Sequence, residues 1–129
     1  MPHFDAYLFN KKGIRKPLTL ILEEGEGILE SVKAGMQQHN LSEVTVEGAE
    51  GRVFDTLINF FERGNFKSTV LKDNNVMMAS GNFKLSYGEL FGSMKILTSD
   101  KPPIHGTVVR GKAHDGFTLK FSFLEMVDK

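Results

Sequence analysis

Only one stretch of this sequence has the spacing of an amphipathic helix, and that constrains the fold more than any other feature. Ile28, Val32 and Met36 recur at helical intervals, with polar residues between them. The other apolar runs are short and are separated by glycine, proline, asparagine and charged residues. Short runs between turn signals are typical of antiparallel strands. The sequence therefore predicts an α+β fold, in which one main helix packs on a mostly antiparallel sheet.

The punctuation of the chain gives approximate element boundaries. We expect strands at 4–10, 18–22, 44–46, 66–71, 76–79, 83–85, 90–97, 104–110 and 117–126. Turns are expected at 11–17, 47–51, 72–75 and 80–82. Residues 53–61 fit either a helix or a strand, because their apolar positions satisfy both periods. Asn40 is expected to end the helix in a left-handed conformation.

The length and composition indicate one soluble domain spanning residues 1–129. A chain of 129 residues can bury about two-thirds of its unfolded surface in a single core. Without any cysteine it can form no disulfide, thiolate metal site or cysteine nucleophile, and this composition fits a reducing compartment. No secretory signal or membrane-length apolar run occurs, so we expect a cytoplasmic protein that does not contact membranes.

The formal net charge is zero, with 16 basic and 16 acidic residues, which disfavours a general nucleic-acid binder. The one dense basic cluster is formed by Lys11, Lys12, Arg15 and Lys16. These four cations could contact phosphates, and they are the candidate nucleic-acid-binding residues. The alternative is a solvated basic surface that protects an edge strand, because no aromatic residue within the cluster could stack on bases.

Three stretches, taken in order, carry a resemblance to a known family. The first, 20–32, has a strand, a Gly-Glu turn and a helix start, and the second, 44–53, has a strand followed by two glycines and a returning strand. The third combines 82–85, 90–94 and Ile104–His105. Together they resemble the PPC domain, the plant and prokaryote conserved domain also called DUF296. The resemblance implies a homotrimer in which sheets of neighbouring subunits pack together.

The resemblance also indicates where a ligand would bind. Family members often carry a His-x-His strand and a Gly-Gly-His loop, a histidine cluster suited to a divalent metal. Here the corresponding stretches read His105-Gly106-Thr107 and Arg110-Gly111-Lys112-Ala113-His114, so a lysine stands where a histidine is expected. The candidate ligand-binding residues are therefore His105, Thr107, Arg110 and His114, and the candidate metal ligands are His105 and His114. A structural role for both histidines is the competing interpretation.

Three functions stay open at this point. The leading hypothesis is a non-enzymatic PPC-like oligomer that binds a small ligand or a partner segment near these residues and needs no cofactor. The first alternative is a DNA-binding regulatory protein, and the second is a metal-dependent enzyme that uses the remaining histidines. Because the chain has no cysteine and no serine in a nucleophile motif, no catalytic residue is predicted.

Overall fold

The computed structural model describes residues 11–128. Six strands and one helix occupy most of that range: β1 (Lys11–Ile21), α1 (Ile28–Gln38), β2 (Glu43–Glu62), β3 (Asn65–Ser86), β4 (Glu89–Thr98), β5 (His105–Ala113) and β6 (Thr118–Asp128). All the strand pairs are antiparallel, and the predicted α+β class with one main helix is confirmed.

The strand order is β1-β6-β2-β3-β4-β5, and β5 also pairs with β2. Because β2 pairs with both β3 and β5, the strands β2, β3, β4 and β5 form a closed sheet. The strands β1 and β6 form a two-stranded ribbon that joins this sheet through the pairing of β6 with β2. The long strand β2 makes this possible because its first part pairs with β6 and its second part pairs with β5. Register shifts in both pairings let β2 bend from one partner to the other.

The helix occupies the predicted place. Ile28, Val32 and Met36 are buried, so the helical period marks the face that meets the core. Gly35 is buried where a Cβ atom would approach the Leu20 side chain to 2.8 Å, which explains why glycine is tolerated inside the helix. Asn40 has a φ of 53°, which confirms the predicted left-handed stop.

Several predicted turns are wrong, because the chain continues through them as strand. Residues 11–17 belong to β1, residues 47–51 to β2, and residues 72–75 and 80–82 to β3. Glycines at positive φ, Gly51 at 126° and Gly81 at 154°, twist these strands without ending them. The ambiguous segment 53–61 is strand, and the strand predicted at 4–10 lies outside the described residues.

The core lies between the helix and the inner face of the sheet. Its largest fully buried side chains include Phe83, Phe117, Met94 and Leu119, from β3, the β5–β6 loop, β4 and β6. The inward positions of β6 alternate over its first part, with Leu119 and Phe121 buried and Lys120 exposed between them, and Ser122 is buried as well.

Candidate functional site

The four predicted ligand-binding residues all lie on or next to β5, but one chain does not bring them together. His105 begins the strand and His114 directly follows its end. At about 3.3 Å per residue, a strand of this length spans at most roughly 30 Å, and the two histidines lie at its opposite ends. The four residues therefore lie at three separate places on the surface: His105 and Thr107 at the first, Arg110 at the second and His114 at the third.

His105 and Thr107 face outward from β5, on the side opposite the buried Gly106 and Val108. His105 lines a shallow cleft of about 190 Å³ whose other lining residues are Met78, Ala79, Ser80, Lys95, Ile96 and Leu97. This cleft offers one imidazole and one ammonium group over a largely apolar surface.

Arg110 lies in a different cleft, next to the helix. A register shift in the pairing of β5 with β2 places Arg110 opposite Leu57. The cleft measures about 210 Å³ and is otherwise lined by Leu29, Glu30, Lys33, Leu90 and Val109. Glu30 partly offsets the two cations, so the cleft is not a strong anion site.

His114 contacts side chains from three parts of the fold, namely the carboxylates of Glu24 and Asp73 and the ring of Phe54. Its Nδ1 atom donates a hydrogen bond to the Glu24 carboxylate, with Nδ1–Oε2 at 2.9 Å. On the opposite side of the ring, Nε2 lies 3.4 Å from Asp73 Oδ1 and is buried without a hydrogen-bond partner. The ring also stacks at a tilt on Phe54, with centroids 4.5 Å apart. The surroundings of His114 therefore form a packed junction in which its side chain is 31% exposed.

Glu24 holds two loops together at this junction. Its Oε1 atom accepts a hydrogen bond from the backbone N–H of Asp115 at 2.9 Å, in addition to the contact with His114. The Asp115 N–H, more than the hydrogen bond and charge of His114, lowers the pKa of Glu24 below its ordinary value, while desolvation and Asp73 oppose the change. The carboxylate form of Glu24 is the form that the junction stabilises.

The geometry at His114 does not form a metal site within one chain. The two carboxylates contact opposite nitrogens of the imidazole, so they cannot meet the ring at one ion. Across residues 11–128, no group of three histidine, aspartate or glutamate side chains gathers with the spacing of a metal site. Arg52, which contacts Asp73 Oδ1 at 2.8 Å, adds a positive charge that repels a cation.

A cleft larger than these two lies elsewhere, where β2 begins. Two ribbons, β1–β6 and β3–β4, extend past the start of β2 and leave a space of about 710 Å³ between them. We call this space the arm cleft. Its lining comes from five strands and the α1–β2 loop: Arg15, Asn40, Leu41, Ser42, Glu43, Val44, Thr45, Asn82, Phe83, Lys84, Phe91, Gly92, Ser122, Phe123 and Leu124.

Hydrogen bonds orient the polar side chains of the arm cleft. Arg15 Nη1 donates to Ser122 Oγ at 2.9 Å, and Ser122 Oγ donates in turn to the Glu47 carboxylate. Thr45 Oγ1 donates to Asn82 Oδ1 at 3.1 Å across the β2–β3 pair. The cleft therefore combines ordered polar groups with apolar side chains, the composition typical of ligand-binding clefts.

Sequence reasoning missed the arm cleft, although one signal was present. In β6 the residues Thr118, Lys120 and Ser122 form the polar alternation, and Leu124 breaks it with an apolar residue on the same face. Leu124 is 55% exposed. An exposed apolar side chain on an otherwise polar face indicates a binding surface. The regular alternation of residues 118–122 made Leu124 easy to overlook.

The predicted basic cluster lies on β1. Arg15 and Lys16 occupy adjacent positions and so point to opposite faces of the ribbon. Lys16 Nζ pairs with Glu125 Oε1 at 2.9 Å, whereas Arg15 lines the arm cleft. The side chains of Lys11 and Lys12 lie outside the described part.

None of the helices in residues 11–128 is long and apolar enough to cross a membrane.

Comparison with known proteins identifies the fold. Neither a family model nor a curated protein matches the sequence. Solved structures do match. A plant- and prokaryote-conserved (PPC) protein from Pyrococcus horikoshii has a TM-score of 0.68 at 18% identity, over 88% of this chain and 80% of that one. A metal-containing protein from Archaeoglobus fulgidus has a TM-score of 0.69 at 14% identity, over 88% and 81%.

A third similar structure is a protein from Ralstonia eutropha JMP134 named as a candidate DNA-binding protein. Its TM-score is 0.66 at 11% identity, over 83% of this chain and 76% of that one. The chain therefore has the PPC fold, and the resemblance seen in the sequence is confirmed at the level of structure.

Proposed function

We propose that this chain is a small, non-enzymatic binding or regulatory module that receives its ligand in the arm cleft. The observation that carries this proposal is the cleft of about 710 Å³, which is lined by the apolar side chains of Phe91 and Leu124 and by the hydrogen-bonded side chains of Thr45 and Asn82. A site of this kind orients a ligand by a few polar contacts while its apolar walls supply affinity. We assign it no cofactor, and the cysteine-free composition supports a cytoplasmic location.

Fragment binding followed by amide NMR tests this function. We expect fragments that combine an apolar group with a polar one to shift the amide signals of Thr45, Asn82 and Leu124. Phe91→Ser should weaken the binding, and Tyr87→Ser, at a fully exposed aromatic residue outside the cleft, is the matched control. Fragments that leave the cleft signals unchanged, or that bind Phe91→Ser as well as the parent protein, would contradict the proposal.

We infer a homotrimer from the PPC fold, with exposed apolar side chains available to neighbouring subunits. Phe61 and Phe66 pack edge to face with centroids 5.0 Å apart at the end of the β2–β3 hairpin, yet they are 60% and 81% exposed. Exposed apolar clusters of this kind support subunit contacts. Light scattering at micromolar concentration should give three times the monomer mass of 14.4 kDa, and a monomer mass would overturn the inference.

DNA binding is the second candidate, favoured by the names of two neighbouring structures. Proteins from Ralstonia eutropha and from Bacteroides thetaiotaomicron are named as candidate DNA-binding proteins. In this chain, Arg15 and the Lys11–Lys12 pair offer the phosphate contacts. Binding of a labelled duplex should then weaken steeply as salt rises and should fall in Arg15→Gln. Absence of binding at low salt would remove this candidate.

A further inference from the structure

The strand β6 has two neighbours along its first part and one neighbour along its last part. Its pairing with β1 continues to Asp128, which faces Lys11. Its pairing with β2 ends where Ser122 faces Thr45. Beyond Ser122, therefore, the edge of β6 that faces the arm cleft has no strand beside it within residues 11–128.

Pro17 indicates which backbone groups of β6 point along that open edge. Pro17 faces Ser122 in the β1–β6 pairing, and proline has no N–H to donate. The pair therefore fits a position without β1–β6 hydrogen bonds, where the N–H and C=O of Ser122 point away from β1. Because this orientation repeats every second residue, the N–H and C=O groups of Leu124 and Met126 also point away from β1 and toward the cleft side.

The side chains along the same edge are apolar and solvent-exposed. Leu124 is 55% exposed, Met126 is 45% exposed and Phe91, on the opposite wall of the arm cleft, is 55% exposed. An unpaired strand edge beside exposed apolar side chains is the surface that an extended chain recognises: its backbone bonds to the edge, and its side chains enter the cleft.

The charged side chains that line the cleft favour one sign of charge on the partner segment. Arg15 faces Leu124 across the β1–β6 pair, and Lys84 faces Glu43 across the β2–β3 pair. Two cations therefore stand against one carboxylate among the lining residues. The Arg15 guanidinium uses one N–H on Ser122, and its planar group carries other donors that suit a carboxylate.

Building on the binding function proposed above, we propose that the occupant of the arm cleft is an extended segment of a partner protein, which adds as a strand to the open edge of β6. Every second residue of the segment is apolar or acidic, so that its apolar and acidic side chains share one face of the added strand. The apolar side chain packs between Leu124 and Phe91, and the acidic side chain pairs with Arg15. Hydrogen bonds to Leu124 and Met126 fix the register.

Two capped peptides test this inference directly. The first is Thr-Val-Thr-Glu-Thr-Val-Thr, in which valine and glutamate share a face, and the second replaces glutamate with lysine. We expect the glutamate peptide to bind at least about tenfold more tightly, because only it can form the charge-assisted pair with Arg15. On binding, hydrogen exchange should slow at the amides of Leu124 and Met126, a readout that side-chain contact alone would not give.

Paired variants assign the charge preference. Arg15→Gln should abolish the difference between the two peptides, whereas Lys72→Gln, an exposed cation on β3 outside the cleft, should leave it unchanged. Circular dichroism and thermal denaturation of both variants establish that they are folded, so that a lost preference reports on the cleft.

Several outcomes would overturn the inference. One is equal affinity for both peptides in the parent protein, and another is binding without slower exchange at Leu124 and Met126. A third is protection of these amides that grows with protein concentration without peptide, since the occupant would then be a second copy of the chain. If fragments occupy the cleft and neither peptide binds, the proposed function stands and strand addition fails.

Discussion

His114 Nδ1 lies 2.9 Å from Glu24 Oε2, and this contact joins the β5–β6 loop to the β1–α1 loop. Backbone hydrogen bonds reinforce the junction, since Gly25 N–H donates to the Ala113 carbonyl at 2.8 Å and Ala113 N–H donates to the Glu26 carbonyl at 2.9 Å. The far nitrogen of the imidazole, Nε2, lies 3.4 Å from Asp73 Oδ1. The junction is thus a fixed polar link between the helix entrance and the end of β5.

Glu24→Gln should lower the melting temperature of the protein. The amide can still accept from the Asp115 N–H, but it loses the charge that strengthens the bonds from Asp115 and His114. Glu23→Gln is the matched control, because Glu23 is an exposed neighbour without an ion pair in the described part. Equal melting temperatures for the two variants in thermal denaturation would show that the Glu24 charge does not support the junction.

The contribution of Glu24 should depend on pH in one direction. Because folding lowers the pKa of Glu24, its stabilising effect is fully present above the ordinary glutamate pKa. That effect is then lost as the pH falls through the lowered pKa. The gap in melting temperature between the parent protein and Glu24→Gln should therefore narrow once the pH falls below the ordinary glutamate pKa. A gap that stays constant, or widens toward acid, would contradict the assignment.

Gly81→Ala should destabilise the fold by at least about 2 kcal/mol. Gly81 has a φ of 154°, and a Cβ atom there would collide with the backbone carbonyl of Ser93 on β4. Backbone cannot move aside as a flexible side chain can. Gly48→Ala serves as the control, since no atom lies within 4 Å of its added Cβ. Urea denaturation measures both variants, and similar midpoints would show that β3 and β4 separate more easily than the structure indicates.

The sequence predicted the fold class and the helix because those features depend on local periodicity. Ile28, Val32 and Met36 mark one buried face wherever the helix packs. The strand lengths could not be predicted in the same way. Gly51 and Gly81 have the sequence appearance of turn residues, yet they lie inside long strands because pairing with β3 or β4 outweighs the local turn preference.

The site was less predictable for a physical reason. The arm cleft joins Arg15 to Asn82 and Phe91, residues that are distant in sequence and meet only when β1, β3 and β4 take their places in the sheet. The resemblance pointed instead to His105 and His114 on β5, and their roles in ligand binding stay a prediction. In one chain the length of β5 keeps these two histidines apart.

Phe83→Ala should destabilise the protein by about 3–5 kcal/mol, since truncation of a buried aromatic ring loses its burial and leaves a cavity. Phe83 is 1% exposed, faces Val44 across the β2–β3 pair, and also lines the floor of the arm cleft. Tyr87→Ala is the control at a fully exposed aromatic residue, where we expect a change within about 0.5 kcal/mol. Urea denaturation of both variants checks the difference. A loss for Phe83→Ala as small as that for Tyr87→Ala would contradict the core described for this fold.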